Sequence, residues 1–342
     1  MTQLPAVLAL DVGGANLKAS DGDRYCASQP FALWKNPTEL ADALRTFLTD
    51  APHAAYWAVT MTGELCDCFA TKRDGVTAII DAVIAAAPAE VDVRIYLTDG
   101  SLVAPEEAKQ RHREASSSNW HAMGAFVAQR IAPQAGVLVD VGSTTTDIIP
   151  LVGGRPVAVG RTDVDRLAIG ELVYTGVVRS PICAVTPTLP YRGRVCGTAQ
   201  ELFATAHDAY LMLRMLPEHG EDCNTADGRP ATREFARARL ARCICADGET
   251  FDEHDAMTAS AVVKLAQARR IADAFSRATP SMIESPQVVV VGGQGEFLAR
   301  EALAHVGWAG KITSLAEEFG PSASRVGPAF ALAQIAREGR WS

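Results

Sequence analysis

The sequence predicts an α/β fold of two duplicated domains, each a mixed β-sheet with flanking helices, closing over a central cleft. Two apolar runs enter an Asp-x-Gly turn, at residues 11–13 and 140–142, and a second apolar run follows each turn. Such a pattern predicts a β-hairpin with a polar tip. A third Gly-rich turn, at residues 292–295, joins an apolar strand to a predicted helix. Two such hairpins about 130 residues apart indicate a duplicated domain.

Length and composition favour a soluble protein with two cores. The chain has 342 residues, of which 48% are hydrophobic and 21% are charged, and this is ordinary for globular domains. The formal net charge of −8 counts against a nucleic-acid or anionic-membrane surface. The start of the chain lacks a basic signal segment, and no apolar run is long enough for a membrane helix. We therefore expect a cytoplasmic protein that acts on small molecules.

The chain contains eight cysteines and no C-x-x-C pair. Its two C-x-C pairs could in principle bind a metal, but free thiols in a reducing cytoplasm are the favoured interpretation.

The first domain is predicted to span residues 1–135. Its first 60 residues predict three strands, a helix and a further strand, and the last of these ends near Thr62. A polar strand end is where open α/β sheets place ligand groups. Three serines and Asn119 then precede a helix. Asn119 is either a helix cap or a ligand contact, and Trp120 and His121 are the other candidates for a ligand contact here.

The second domain is predicted to span residues 136–342. Arg161, after a possible third strand, could clamp a phosphate or carboxylate, or could be a solvated loop residue. The polar segment 218–232 is either a flexible surface loop or a substrate lid. A last helix, at about residues 326–338, could pack back on the first domain.

The hairpin tips are the predicted binding site. They offer backbone N–H groups with little side chain in the way, hydroxyl groups and two carboxylates. This combination suits a phosphate, with a divalent cation held between the phosphate oxygens and a carboxylate.

The three turns in this order resemble the ASKHA superfamily, the fold of actin, hexokinase and Hsp70. The matching residues are Asp11 and Gly13 for its first phosphate motif, Asp140 and Gly142 for its second, and Gly292, Gly293 and Gly295 for its adenosine motif. This resemblance implies the duplicated two-domain fold.

Longer blocks resemble a narrower family, the hydantoinase/oxoprolinase-related proteins of tetrahydromethanopterin-linked one-carbon transfer. The blocks are residues 10–18, 59–65, 118–122, 140–148, 160–163, 170–176 and 225–230. Archaeal members make methanofuran by joining a γ-glutamyltyramine phenol to an aminomethylfuran diphosphate, and bacterial members are thought to make methylofuran. The resemblance therefore implies a transferase that forms an aryl ether and releases diphosphate, within one-carbon (formaldehyde oxidation) metabolism.

That reaction implies roles for particular residues. The diphosphate or nucleotide would be held by Gly13, Gly14, Asn16, Lys18, Gly142, Ser143, Thr144, Thr145, Gly292, Gly293 and Gly295. Asp11 and Asp140 would hold Mg²⁺ or a similar divalent cation. The candidate bases for the phenol are Asp140, Asp99 and Glu64. The candidate substrate contacts are Thr62, Asn119, Arg161 and Glu171.

The alternative is an ATP-dependent small-molecule kinase of the same superfamily. ATP would then be the cofactor, with its adenosine on the 292–295 turn and its phosphates on the two hairpins. A third possibility is a slow ATPase that acts as a sensor or activator. The sequence leaves open the acceptor phenol, the metal, nucleotide binding and the oligomeric state.

Overall fold

The computed structural model describes residues 6–280 and 282–339. Its strands are β1 Val7–Val12, β2 Asn16–Ser20, β3 Cys26–Pro30, β4 Tyr56–Met61, β5 Asp92–Tyr96, β6 Leu102–Val103, β7 Gly136–Val141, β8 Thr146–Val152, β9 Arg155–Pro156, β10 Leu172–Val173, β11 Thr188–Tyr191, β12 Arg194–Gly197, β13 Val288–Gly292 and β14 Lys311–Ser314.

Helices connect and cover these strands. They are α1 Leu40–Phe47, α2 Lys72–Ala86, α3 Pro105–Gln110, α4 His112–Ala115, α5 Asn119–Ile131, α6 Asp163–Ile169, α7 Ile182–Val185, α8 Ala206–Met212, α9 Arg233–Arg242, α10 Glu253–Ala278, α11 Glu296–His305, α12 Leu315–Phe319, α13 Pro321–Arg325 and α14 Gly327–Arg337. None of the helices in the described ranges has the length and apolar character needed to cross a membrane.

Two sheets repeat one topology, and this confirms the predicted duplicated α/β fold. The first has the order β3-β2-β1-β4-β5-β6 and the second β10-β8-β7-β13-β14. In each, an antiparallel hairpin (β1–β2 or β7–β8) is followed by two parallel strands. Strand β1 is buried along its whole length because strands flank both of its edges and its apolar side chains lie in two apolar clusters, one on each face of the sheet.

Two helices form the layer between the sheets. Helix α5, which ends the first half of the chain, packs on β7, β8 and β9 of the second sheet. Helix α14, which ends the chain, packs on β1, β2 and β4 of the first sheet and on α5. Contact between the helices is close, since a Cβ atom at Gly327 would lie 2.5 Å from Met123 Cε. One helix from each half of the chain therefore packs on the sheet of the other half.

The remaining cores lie on the outer faces. Helices α1 and α2 cover the first sheet, and α10 and α11 cover the second. A smaller cluster joins α7, α8, α9 and the start of α10 into an outer lobe of the second half. All eight cysteines are free thiols.

Candidate functional site

The two hairpin tips meet at a cleft between the sheets. Its main cavity is about 490 Å³, within the range typical of small-molecule sites. Of the residues singled out from sequence, the cavity is lined by Asp11, Gly13, Gly14, Asn16, Lys18, Thr62, Asn119, Asp140, Gly142, Ser143, Thr144 and Thr145. Folding thus brings together two turns that are far apart in the chain, through one repeated strand arrangement.

The first tip, residues 13–15, has its carbonyl groups bonded to the protein. The Leu33 N–H donates to the carbonyl oxygen of Gly14, and the Phe31 N–H donates to that of Ala15, each at 3.0 Å. In the described chain, no acceptor lies within hydrogen-bonding distance of the N–H groups of Gly14 and Ala15. The donors are left free beside the cleft, as an anion-binding loop requires.

The second tip, residues 142–145, repeats this arrangement. The carbonyl oxygen of Gly142 accepts from Val177 N at 3.1 Å, and that of Ser143 accepts from Val178 N at 3.0 Å and Arg179 N at 2.9 Å. Within the described ranges, the N–H groups of Ser143, Thr144 and Thr145 have no acceptor. Both tips therefore have unused N–H donors at residues that line the cleft.

Gly176 is the support of the second tip. A Cβ atom there would lie 2.5 Å from Thr144 N and 2.6 Å from Ser143 C. These are backbone atoms, which cannot rotate away, so only glycine lets the 176–179 segment pack directly beneath the tip.

The carboxylate before each tip has a different electrostatic environment. Asp11 is 2% exposed, and its Oδ2 lies 3.2 Å from Lys18 Nζ on the paired strand. The residue paired with Asp140 is instead Asp147. Burial, followed by the charge of Asp147, raises the pKa of Asp140 to about 7, and Lys18 opposes this. The second hairpin therefore carries a carboxyl group that titrates near neutral pH.

Arg166 neutralises Asp147. Its Nη2 lies 2.9 Å from Asp147 Oδ1 and also donates to the carbonyl oxygen of Glu171 at 3.0 Å. Its guanidinium carbon lies 4.1 Å from the centre of the Trp120 ring, in the cation–π range. Arg166 is only 1% exposed yet lines the cleft.

The two carboxylates beside the tips fit a divalent cation of the Mg²⁺ type. One oxygen of each carboxylate, Asp11 Oδ1 and Asp140 Oδ1, is buried without a hydrogen-bond partner. Hard cations prefer such oxygens, and Mg²⁺ commonly uses one or two carboxylates with phosphate and water. Within the described ranges, no group of three or more His, Cys, Asp or Glu side chains is arranged to hold a metal. A cation here would need ligand oxygens to complete its coordination.

Asp163 joins the two halves at the edge of the cleft. Its Oδ2 accepts from Ser117 Oγ at 2.7 Å and lies 3.0 Å from Lys72 Nζ. Asn119 lies nearby, and its Oδ1 accepts from the N–H of Trp120 at 2.7 Å. Asn119 is the first residue of α5, and the cap position is Ser118.

Two glutamates expected in the cleft are buried behind it, which corrects their assignment. Glu64 is 1% exposed, and its Oε1 accepts from Ser116 Oγ at 2.6 Å and Ser117 Oγ at 2.8 Å. Burial raises the pKa of Glu64. Glu171, also 1% exposed, accepts from the N–H groups of Val159 and Gly160. Neither side chain is in the cavity lining, and Glu171 instead fixes a backbone turn.

The assignments of Asp99 and Arg161 are also corrected, because both residues are exposed and lie outside the cavity lining. Asp99 accepts from Ser101 and from Arg111, and these hydrogen bonds lower its pKa to about 2 although burial acts in the opposite direction. Such a carboxylate is a poor base, and it lies outside the cavity lining. Arg161 is exposed and also lies outside the lining, whereas Arg166, one turn into α6, faces the cleft.

The 292–295 turn packs tightly against the second hairpin. Cβ atoms at Gly293 and Gly295 would lie 2.3 Å from the Val141 carbonyl oxygen and 2.4 Å from Val141 Cγ1. The N–H of Gly293 donates to Ser324 Oγ at 3.1 Å. Gly293 lines a smaller cavity beside the tips, whereas Gly292 and Gly295 lie outside the lining of both cavities.

Sequence reasoning missed several residues of the cleft. Trp34, Asp163, Arg166 and Arg179 all line it. Arg179 stacks on Trp34, with its guanidinium carbon 4.6 Å from the ring centre. The local signal for Arg166 was present, because its helix follows the block at residues 160–163, but the pattern does not say which arginine faces inward.

Comparison with known proteins assigns the family. The hydantoinase/oxoprolinase family model matches residues 56–338. The chain belongs to the hydantoinase/oxoprolinase family. A relative from Methanocaldococcus jannaschii is 34% identical over 334 residues, covering 96% of this chain and 97% of the relative. It is named (4-{4-[2-(gamma-L-glutamylamino)ethyl]phenoxymethyl}furan-2-yl)methanamine synthase. A relative of the same name from Methanococcus vannielii is 28% identical, covering 60% of this chain and 92% of the relative.

The solved structures that resemble this chain have lower sequence identity to it than these relatives. Component A of (R)-2-hydroxyglutaryl-CoA dehydratase from Acidaminococcus fermentans is 15% identical with a TM-score of 0.45, covering 97% of this chain and 98% of that one. An archaeal actin homolog is 13% identical with a TM-score of 0.45, covering 97% of this chain and 99% of that one. Similarity at this level bears on neither substrate nor activity.

Proposed function

We propose that this protein is a transferase of methanofuran-type cofactor biosynthesis, within tetrahydromethanopterin-linked one-carbon metabolism. It would join a phenol of the tyrosine or tyramine type to an aminomethylfuran-methyl diphosphate and release diphosphate. The observation that carries the proposal is the pair of hairpin tips, whose free N–H groups face one cleft. The product in the relatives' name contains a phenoxymethyl-furan ether, and making that bond requires a leaving group on the furan methylene.

The tips supply the means to stabilise the leaving group. Five tip N–H groups, those of Gly14, Ala15, Ser143, Thr144 and Thr145, are available to phosphate oxygens. Lys18 adds a positive charge beside the first tip. Donors held in place before the reaction stabilise charge that develops on the leaving oxygen.

Mg²⁺ or a similar cation is proposed on Asp11 and Asp140, whose buried oxygens lack partners. When bound, the cation would neutralise charge on the diphosphate. Asp140 is also the proposed base for the phenol, because it lines the cleft and its pKa of about 7 lies in the working range. A bound cation favours the ionised carboxylate and lowers that pKa, so the two roles of Asp140 compete.

The aromatic and aliphatic part of the cavity lining suits the two ring systems. Trp34 and Trp120 provide aromatic walls, and Leu65, Leu167 and Tyr174 line the same cavity with more than 40% of each side chain exposed. Aromatic and aliphatic walls position planar groups and exclude water from them.

The alternative, an ATP-dependent kinase, depends on adenosine at the 292–295 turn. Two features count against it: Ser324 occupies the N–H of Gly293, and Gly295 packs directly on Val141.

The test is turnover without ATP. The protein is incubated with aminomethylfuran-methyl diphosphate, Mg²⁺ and either tyrosine or γ-glutamyltyramine, and the ether and diphosphate are quantified. The proposal expects one diphosphate per ether, both dependent on the phenol, and the better phenol identifies the acceptor. ATP consumption with a furan alcohol, and no ether from the diphosphate, would establish the kinase instead.

A further inference from the structure

A second cavity adjoins the main cavity at the hairpin tips, and Asn16, Gly142 and Ser143 line both. It has a volume of about 160 Å³ and shares Lys18, Asp140 and Arg179 with the main cavity. We call it the second lobe, lined beyond the tips by His207, His219, Asp222, Ser324 and Arg325, and we call the larger cavity the first lobe. Residues of both tips therefore line both cavities.

The two lobes differ in charge. Five carboxylates and three cationic side chains line the first lobe, whereas two carboxylates, three cationic side chains and two histidines line the second. In the described chain, Arg179 and Arg325 form no ion pair with a carboxylate. A cationic group is therefore favoured in the first lobe, and an anionic group is favoured in the second.

The outer wall of the second lobe is built into the fold. It comes from the polar segment 218–232, which the sequence left open as loop or lid. Arg239 is fully buried, and it donates to Asp208 at 2.8 Å and to Asp227 of the segment at 2.9 Å. A backbone bridge between His219 and Ala231 closes the segment. These contacts hold His219 and Asp222 against the lobe, so the segment is a fixed wall in this structure.

The size of the second lobe suits a phosphate group better than a nucleoside. Its 160 Å³ is well below the roughly 300 Å³ at which drug-sized pockets begin. The Gly293 N–H, which could have met a nucleotide, is bonded to Ser324.

We propose that the second lobe binds the outer phosphate of the diphosphate, with Arg325 and Arg179 as its cationic partners, while the first lobe holds the furan and the phenol. This rests on the proposed function. The bond between the furan methylene and the diphosphate oxygen breaks with its electron pair leaving on the diphosphate. The phenol oxygen forms the new bond to that carbon, and its proton passes to a base or water. The arrangement places the leaving group and the nucleophile on opposite sides of the reacting carbon.

Calorimetric titration with inorganic diphosphate and Mg²⁺ tests the proposal on the full chain. Arg325→Gln should weaken binding by about tenfold or more, because a charged hydrogen bond is lost. Arg24→Gln is the matched control, since Arg24 is an exposed arginine outside both cavities, and its affinity should equal that of the unaltered protein. Arg325→Lys keeps the charge and should recover part of the loss. Thermal melts of the variants show that folding is unchanged.

Two results would overturn the inference: an unchanged diphosphate affinity in Arg325→Gln, or tighter binding of ADP than of inorganic diphosphate. Turnover of the furan diphosphate is measured on the same samples. Ether formation with unchanged affinity in Arg325→Gln would refute the second-lobe site alone. If Arg325→Gln loses affinity and the unaltered protein forms no ether, the proposed function is refuted and the anion site remains in place.

Discussion

The two hairpins have the same backbone and opposite electrostatics. Both leave tip N–H groups free and tie the tip carbonyls to a neighbouring segment. In the first, Asp11 faces Lys18 across the strand pair, and in the second, Asp140 faces Asp147 at the equivalent register. One carboxylate is therefore compensated directly, and the other is buried beside a like charge. The duplicated scaffold repeats the arrangement of free N–H groups, whereas burial and the charge of Asp147 raise the pKa of Asp140 in the second hairpin to about 7.

The largest effect is expected from Asp140→Asn. If Asp140 is the base, turnover should fall by about 10²–10⁴-fold, the usual contribution of a general base, while the fold stays intact. Asp23→Asn, at an exposed position after β2, is the control and should retain full activity. Near-normal turnover in Asp140→Asn would remove Asp140 from the mechanism.

The same variant has a predicted effect on stability. The folded-state pKa of Asp140 is raised to about 7 from an ordinary 3.8, so the folded protein holds a proton that the unfolded chain has lost. The stability of the metal-free protein therefore falls, through this group, as pH rises from about 4 to 7. Metal-free Asp140→Asn should melt at a higher temperature than the unaltered protein at pH 8, with a smaller difference at pH 5. A difference that grows toward pH 5 would contradict the assignment.

Gly176, beneath the second tip, and Gly14, in the first tip, should differ in their tolerance of an added methyl group. Gly176→Ala places Cβ against backbone atoms of the second tip, so the tip must move. We expect a loss of about 1–3 kcal/mol in unfolding free energy and about 100-fold in turnover from misplaced donors. Gly197→Ala, where no atom lies within 4 Å of the added Cβ, is the control for both measurements.

In the first tip, Gly14→Ala meets Cys66 Sγ at 2.7 Å, which is a side-chain atom. Its effect should be smaller than that of Gly176→Ala, and adding Cys66→Ala should restore activity. If Gly14→Ala costs as much as Gly176→Ala and Cys66→Ala gives no rescue, the two tips are not supported as described.

The charges of Lys18 and Asp147 should shift the pKa of Asp140 in opposite directions. Lys18 lowers the pKa of Asp140 and Asp147 raises it. Lys18→Met should therefore raise that pKa, and Asp147→Asn should lower it, as followed by NMR of ¹³C-labelled aspartate in metal-free protein. Lys35→Met, at an exposed lysine, should leave it unchanged. Shifts of the same sign in the first two variants would show that the paired residues do not set the difference between the hairpins.

The smallest effect is expected at Glu64. Its side chain is buried among serines outside the cleft. Glu64→Gln should therefore change turnover by less than about tenfold, unlike the loss of a general base. A loss comparable to that of Asp140→Asn would return Glu64 to the catalytic site.

The sequence was sufficient for the parts of the site that local pattern encodes. An Asp-x-Gly turn between two apolar runs predicts a hairpin from local sequence, so the turns at Gly13 and Gly142 could be predicted in advance. Arg166, the partner of Asp147, could not be predicted in this way. Which arginine of residues 161–166 faces inward depends on how α6 packs. Asp99 and Glu64 were misplaced for a related reason: a carboxylate at a strand end has the same sequence signature whether it faces a ligand, an arginine or a buried serine pair.

The most direct test of the account is a crystal structure with inorganic diphosphate and Mg²⁺. The account predicts one phosphate between the N–H groups of Gly14 and Ser143, the other phosphate toward Arg325, and the cation at Asp11 and Asp140. Diphosphate bound away from both tips, or by one tip alone, would contradict the claim that the duplicated hairpins form a single site.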